Sequence, residues 1–405
     1  MRILQLTDLY PPYVGGLEQH VRNLAHGLAA RGHHVAVATM ADGRQAARDH
    51  DAEVRVHRLA GTTARAARIT TPSGRPFAPP VPDPEIVLAL RRVIDEERPD
   101  VVHAHNWLAR SFMPLKARSG AALAMSLHDY GVVCAKRSMV YRGRACSGPA
   151  PAKCLRCASG AYGTARGMAI ALGNWAMQPI ERATVDVFLP VSTAVARSSG
   201  LAEAQVDHEV LPNFVPADIA DRADHGHPAL AALPKKGYWL FVGALARHKG
   251  LHVLLEAYAR LKAAPPLVIA GPTTPDTPRT WPRGVVALGS LPHAAVMGAW
   301  RRASLGLVPS VFPDPCPTVA LEAMACGVPL VASRIGGLPD IVADEQSGLL
   351  VEPRDVGQLE AALRRLLADP DALARMGERG RQRLAAFTDT AVVSRLETIY
   401  ERIVA

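Results

Sequence analysis

One pattern constrains the fold of this 405-residue chain more than any other: short apolar runs alternate with stretches of helical spacing from end to end. The run Arg2-Ile3-Leu4-Gln5-Leu6-Thr7 reads as a buried strand. A glycine-rich loop, Tyr10-Pro11-Pro12-Tyr13-Val14-Gly15-Gly16, follows it. Leu17, Val21, Leu24 and Leu28 then recur at helical spacing until Gly32 stops the helix. Residues 34–39, 100–105, 123–128, 188–192 and 209–212 repeat the strand signature. Strands with continuous apolar character, separated by helices, cannot pair as hairpins; they form βαβ units around a parallel sheet covered on both faces.

The pattern lapses over 216–236, which is polar, rich in Pro, Asp and His, and reads as a linker. It then restarts with strands at 238–243, 266–271, 284–289, 305–309 and 328–332 and a helix over 251–261. The expectation is an α/β protein of two Rossmann-like doubly wound domains, 1–215 and 237–385, facing each other across a cleft. Ligands of such folds bind at the carboxyl ends of the strands.

Composition narrows the class. Apolar residues make up 49% and charged residues 20%, ordinary globular usage that excludes wholesale disorder. The longest apolar stretch, 168–177, is interrupted by Gly173 and Asn174 and falls short of the ~20 residues of a membrane span. The first residues lack the apolar core of a secretory leader, so a cytoplasmic protein is expected. The net charge of +9 points to an anionic partner: nucleic acid, a phosphorylated metabolite or a lipid head group. That charge is local. Ten Lys and Arg and a single acid, Asp129, lie between Arg110 and Arg166, and elsewhere 36 basic and 36 acidic residues cancel.

The most informative stretch runs from Pro309 to Gly327. A strand ends near Pro309, a loop carries Asp314, and a helix opens at Pro317-Thr318-Val319, with proline in its first turn and Gly327 as its stop. The free N–H groups and partial positive charge of that helix start suit a pyrophosphate. Asp314 and Glu322, with seven residues between them, can then reach opposite ends of a sugar nucleotide. This stretch resembles the E-x7-E signature of the family 4 retaining glycosyltransferases (GT-B fold), with Asp314 in place of the first Glu. The resemblance implies that Asp314 holds hydroxyls of the donor sugar and Glu322 the nucleotide ribose.

Further motifs follow in the family's order. Gly243-Ala244-Leu245-Ala246-Arg247-His248-Lys249-Gly250 resembles its G-R-L-x-x-x-K-G segment, whose cations clamp the donor pyrophosphate. Lys249 matches by position. Ala244 stands where the family has arginine, so that role passes to Arg247, with a solvated loop cation as the open alternative. Gly336 and Gly337 resemble the glycine turn after the donor site, and Gly271 and Gly289 fall where the base-binding loops begin. Tyr10 to Glu18 is similar to the first loop, P-P-x-x-G-G-x-E, which brings Gly15 and Gly16 close to donor phosphate or acceptor. His128-Asp129-Tyr130 resembles the segment whose histidine contacts the donor sugar near the reacting carbon; His103 and His105 are expected to be structural or to line the acceptor pocket. The last helix, 386–405, is expected to pack back on the first domain. No G-x-G-x-x-G fingerprint precedes a helix and no P-loop occurs.

Cys134, Cys146, Cys154 and Cys157 form a basic, cysteine-rich insertion over about 130–160, and a subset of the family resembles the chain in carrying one. Four thiols ending in C-x2-C can hold a tetrahedral metal, and in a reducing compartment that outweighs disulfides. Structural zinc is expected, with free thiols, a redox pair or an iron–sulfur cluster as alternatives. No catalytic metal is expected. Asp49-His50-Asp51 contains a D-x-D, read as chance in a polar linker. The partners implied are a nucleotide-sugar donor, a glycan or lipid-linked acceptor and an anionic membrane surface, without nucleic acid. The rival readings are a sugar-nucleotide epimerase of the same fold and a zinc-containing nucleic-acid-binding protein. The epimerase would need acid–base groups of its own, and the nucleic-acid reading leaves two sheets unexplained.

Overall fold

The computed structural model describes every residue except Val14, 64–75, Ala232, Lys235 and Lys236. The chain forms two compact units. The first comprises Met1–Met139, Cys146–Pro212 and Val392–Ala405, and the second Val140–Ala145 and Asn213–Ala391.

The first unit is built on a seven-stranded sheet of order β3-β4-β2-β1-β5-β6-β9. Its strands are β1 Arg2–Thr7, β2 His34–Met40, β3 Arg48–Asp51, β4 Val54–Leu59, β5 Val101–Ala104, β6 Ala122–Leu127 and β9 Val187–Pro190. Only β3 runs antiparallel to its neighbour. Leu4 of β1 lies between Ala36 of β2 and Val102 of β5. That central position explains why β1 shows no polar alternation: helices cover both of its faces. The strand order reverses between β1 and β5, and the loops leaving these strands meet there.

Three elements depart from the sequence expectation. β4 was not anticipated because its buried Val54, Val56 and Leu59 alternate with charged residues instead of forming a continuous run. β3 holds Asp49-His50-Asp51 in an edge strand instead of a linker. The expected strand 209–212 is an extended segment beside β9, with Glu209 and Leu211 donating to the carbonyls of Phe188 and Pro190 at 3.0 Å each. Pro190 and Pro212 lack N–H donors, which limits pairing to an isolated bridge.

The helix Asp389–Val404 closes the first unit. Val392, Val393, Leu396, Ile399 and Tyr400 form its buried stripe. A Cβ at Gly27 would sit 3.4 Å from Val393, so the helix Gly16–Ala30 packs closely there. Glu397 pairs with Arg31 at 2.5 Å and His33 at 2.8 Å.

The second unit holds a six-stranded parallel sheet of order β12-β11-β10-β13-β14-β15. These strands are β10 Tyr238–Val242, β11 Leu267–Ala270, β12 Val285–Ala287, β13 Ala303–Val308, β14 Leu330–Ser333 and β15 Gly348–Val351. Trp239, Phe241, Leu254, Tyr258, Leu307 and Leu363 belong to one buried cluster. Short, glycine-led β15 was not anticipated. The unit also contains the hairpin of β7 Val140–Tyr141 and β8 Arg144–Ala145.

The expected linker 216–236 is part of this unit, apart from Ala232, Lys235 and Lys236, which lie outside the described residues. Ile219, Leu230 and Leu233 are buried, Asp224 N donates to Ala294 O at 2.8 Å, and Arg302 donates to His225 O at 2.7 Å. Composition suggested a spacer, but backbone bonds and three apolar anchors hold the segment to the domain. The chain passes between units after Pro212 and after Ala391, near the expected 215 and 386.

The local charge surplus also needs correction. Arg110 is fully buried, donating to Glu181 Oε1, Asn174 Oδ1 and Pro80 O at 2.7 Å each, which pins the helix Thr164–Thr184. Lys116 pairs with Asp186, and Arg137 with Asp129 and Asp8. All three cations are paired with acids, and Arg110 lies wholly in the interior.

Candidate active site

In the second unit the expected donor-binding residues gather at the carboxyl end of the sheet, around the switch between β10 and β13. β10 runs into Gly243 at φ +144° and β11 into Gly271 at φ +148°. A Cβ on Gly271 would lie 1.9 Å from the Gly243 carbonyl oxygen, so these two turns touch backbone to backbone and only glycine fits. β13 leads into the loop carrying Asp314, and the helix Thr318–Ala325 follows. Pro317 occupies its N-cap, one position earlier than expected. Proline at that position leaves the helix without a capping side chain, so its first N–H groups keep their affinity for an anion. Thr318 and Val319 are half-exposed, and Gly327, at φ +68°, ends the turn after the helix.

The charged groups are tied to one another. Lys249 Nζ lies 2.5 Å from Asp314 Oδ2 and 4.9 Å from the centroid of the Phe312 ring. Asp314 is buried, and its loop is held by the glycine turn: Gly337 N donates to Asp314 O at 2.8 Å. Gly336 adopts φ +61°, where a Cβ would meet that same oxygen at 2.1 Å. Glu322, also buried, accepts from His293 Nε2 at 3.1 Å. That hydrogen bond raises the His293 pKa above its usual value against the opposing effect of burial. Arg247 begins a short turn with Lys249, and its backbone N–H donates to Asp276 Oδ2 at 2.7 Å. Its guanidinium is exposed and forms no ion pair among the described residues. His293 was not singled out in the sequence, because nothing about its position before an apolar helix marks it as a partner of Glu322.

In the first unit, the ends of β1, β5 and β6 carry the glycine loop, His105 and His128. Gly15 caps the helix Gly16–Ala30. A Cβ on Gly15 would lie 2.2 Å from Glu18 Oε2, so the buried Glu18 carboxylate folds back over the helix start. Among the described residues a Cβ on Gly16 would meet nothing within 4 Å. Val14 of this loop lies outside the described residues. His128 is half-buried and its Nε2 lies 3.0 Å from His105 Nδ1. His105 is thus one direct partner of His128, and the His20 ring packs edge-on 4.9 Å from it. Asp129 is held by Arg137 at 2.7 Å, and Asp8 accepts from Leu108 N at 3.3 Å; burial pushes the Asp8 pKa up. Asp51 of the D-x-D is engaged by Arg22, His26 and Tyr10 at 2.7, 3.0 and 2.9 Å, and these partners hold its pKa well below the usual range.

Cys154 and Cys157 sit on the helix Pro151–Tyr162, in a segment expected to be loop. Burial pushes the Cys157 thiol pKa up, with smaller contributions from Cys134, Cys146 and Cys154, so the four share one neighbourhood. Ala150 N donates to Cys154 Sγ at 3.3 Å. A tetrahedral zinc site has sulfur–sulfur edges of about 3.8 Å. Among the described residues, no three of these sulfurs lie within 4.8 Å of one another; His57, Glu96 and Glu97 form the one group of donors that close. The sulfurs are therefore spaced more widely here than in a closed zinc site.

Comparison with known proteins agrees with this arrangement. Residues 14–219 match the model of Glycosyltransferase Family 4, and residues 227–383 that of Glycosyl transferases group 1. The glycogen synthase of Mycobacterium tuberculosis is 30% identical over 97% of this chain and 92% of its own. D-inositol 3-phosphate glycosyltransferase 1 of Catenulispora acidiphila is 31% identical over 74% of this chain and 72% of its own. Among solved structures, sucrose-phosphate synthase of Thermosynechococcus elongatus superposes with TM-score 0.73 at 22% identity, covering 99% of both chains. The Anabaena protein Alr3699/HepE in complex with UDP gives 0.69 at 15% identity, covering 99% of this chain and 100% of that one. Two parallel α/β units, a glycine-lined helix start flanked by Asp314 and Glu322, and family matches over most of the length converge on one assignment: the chain belongs to glycosyltransferase family 4, with the GT-B fold.

Proposed function

We propose that this enzyme moves a sugar from a nucleotide-diphosphate-sugar donor to a glycan or lipid-linked acceptor, with retention at the anomeric carbon, in cell-surface polysaccharide or glycoconjugate synthesis. One observation carries the reading: buried Asp314 and Glu322 flank the uncapped start of the helix Thr318–Ala325, with Lys249 at the same loop. In this reading the diphosphate rests on the backbone N–H groups of Thr318 and Val319, with Lys249 and Arg247 as counter-charges. Gly243 and Gly271 let the nucleotide approach the backbone. Asp314 takes sugar hydroxyls, Glu322 the ribose, and His128 the sugar near its reacting carbon. Gly15 and Gly16 leave room for phosphate or acceptor.

The bond from the anomeric carbon to the diphosphate oxygen breaks, and a bond to the acceptor hydroxyl oxygen forms on the same face. The leaving phosphate oxygen takes the acceptor's proton, so no protein base is required. Positive charge that develops on the ring is matched by negative charge on the departing diphosphate, where Lys249 acts.

The finer reading of the acceptor rests on the helix Thr164–Thr184. It exposes Met168, Leu172 and Ile180, and no charged residue stands between Arg166 and Glu181. Lys153 and Arg156 lie on the helix packed against it, where Gly167 touches the Ala158 backbone. An apolar face beside cations suits the surface of a bilayer containing anionic lipid. We place the enzyme peripherally on the cytoplasmic face; no helix among the described residues is long and apolar enough to cross a membrane. At the four cysteines we propose structural zinc, which would have to draw the sulfurs together.

A thermal-shift screen with UDP-, GDP- and ADP-sugars, followed by transfer of labelled sugar, tests the function. The bound donor should raise stability by about 2.7 kcal/mol at a hundred times its Kd. Glu322→Ala and Lys249→Ala should each lower transfer by orders of magnitude; unchanged transfer in both would overturn the site, and isomerisation without transfer would favour an epimerase.

A further inference from the structure

Glu322 is a carboxylate on an apolar helix, 7% exposed, and a buried carboxylate is costly without a hydrogen-bond donor. Among the described residues its side chain has one such donor, His293 Nε2, at 3.1 Å from Oε1. An ionised carboxylate only accepts, so Nε2 carries the hydrogen whether the ring is charged or neutral. The bond takes one oxygen of Glu322 and leaves the other for a ligand.

The support under His293 is rigid. It opens the helix His293–Trp300, whose Ala295, Met297, Ala299 and Trp300 are fully buried. The segment expected to be a linker braces that helix: Asp224 N donates to Ala294 O at 2.8 Å, and a Cβ on Gly298 would lie 2.2 Å from Asp224 O. The His293 ring itself remains 58% exposed. Three influences oppose a charge on it: partial burial, Arg222 nearby, and the positive end of its own helix. The hydrogen bond to Glu322 outweighs them and raises its pKa.

We propose that His293 is a positioning residue that sets donor specificity: by holding one oxygen of Glu322, it fixes the carboxylate so that the other selects nucleotides bearing ribose hydroxyls over those without them. This rests on the proposed role of Glu322 at the ribose. A carboxylate free to turn gives up part of each hydroxyl bond in order to be immobilised; one already held does not. A site organised to receive hydroxyls in this way discriminates strongly against an analogue that lacks them.

The test is calorimetric binding to the full-length protein of UDP, GDP and ADP, each beside its 2′,3′-dideoxy counterpart. Wild type is compared with His293→Ala, His293→Asn, His293→Gln and Glu322→Ala. The wild type should prefer the ribose form. His293→Ala and His293→Asn, which lack a donor at the reach of Nε2, should lose roughly ten-fold or more of that preference, and the dideoxy form should bind them as it binds the wild type. His293→Gln, whose amide extends as far as Nε2, should recover much of it. Glu322→Ala should remove it. Preference lost in Glu322→Ala but intact in both His293→Ala and His293→Asn would overturn the inference and leave the donor reading standing. Equal weakening of the ribose and dideoxy forms would mark a merely structural role and also overturn it. Preference intact in Glu322→Ala, or no binding of any of the three nucleotides, would overturn the donor reading and the inference with it.

Discussion

Lys249 Nζ and Asp314 Oδ2 are bonded at 2.5 Å, although the proposed transfer assigns them to different parts of the donor. On that proposal a bound donor parts them: the diphosphate takes the ammonium and the sugar hydroxyls take the carboxylate. Lys249→Ala should lower kcat by roughly 10²–10³, the usual effect of removing one group that stabilises developing negative charge. Steady-state kinetics with the donor identified by screening measures it; a change confined to KM would move Lys249 out of the transition state.

His293 gives the site a pH signature. Its pKa is raised, first by the hydrogen bond to Glu322. The stability this pairing contributes is fully present below the unfolded histidine value, near 6.5, and is lost as pH rises through the higher folded value. The melting-temperature gap between wild type and Glu322→Gln should therefore be widest just below the unfolded histidine value and narrow as pH rises through the raised His293 value. An NMR titration of His293 should show its midpoint falling in the variant.

Arg110 and Glu181 test the packing of the long helix that carries the exposed apolar face. Both side chains are 0% exposed and meet at 2.7 Å. Removing one partner strands a buried charge, so Arg110→Ala or Glu181→Ala should each cost about 3–5 kcal/mol. Arg110→Met with Glu181→Leu should recover much of the loss. Denaturant unfolding of the three variants decides it.

Membrane contact can be read by sedimentation with phosphatidylserine vesicles. Leu172→Asp should weaken binding strongly, and neutralising Lys153, Arg156 or Arg166 should each cost about 1 kcal/mol at low salt. No binding, or binding indifferent to salt, removes the bilayer from the acceptor model.

Metal analysis of protein purified without chelator should return one equivalent of zinc, lost in Cys157→Ser. Absence of stoichiometric zinc or iron would leave the four cysteines as free thiols.

Much of the fold was legible because a parallel strand covered on both faces must be apolar throughout. Runs such as 34–39 and 328–332 announce themselves in this way. The strands that escaped were those without that requirement: β3 is polar and mostly exposed, and β4 alternates. Asp314, Glu322 and Lys249 could be picked out because they fall on motifs that resemble the family's, and the structure brings them to the carboxyl end of the second unit's sheet. The buried hydrogen-bonded line from His128 through His105 and Gln5 to the Tyr400 hydroxyl and His103 has no such trace. Gln5 and Tyr400 are 395 residues apart, and only the closing of the sheet and the docking of the final helix bring them together. The segment 216–236 misled for a related reason: its few apolar anchors are set in polar residues whose backbone does the binding.

Val392–Ala405 completes the unit that Met1 begins. A ribosome making this protein therefore releases the second unit's entire sequence before the first has its closing helix. Until then the surface awaiting Leu396, Ile399 and Tyr400 is bare, and Gln5 and His103 lack their shared phenol. Of the two units, the one begun earlier is the last that can finish folding, and a chain lacking Val392–Ala405 leaves that unit open too.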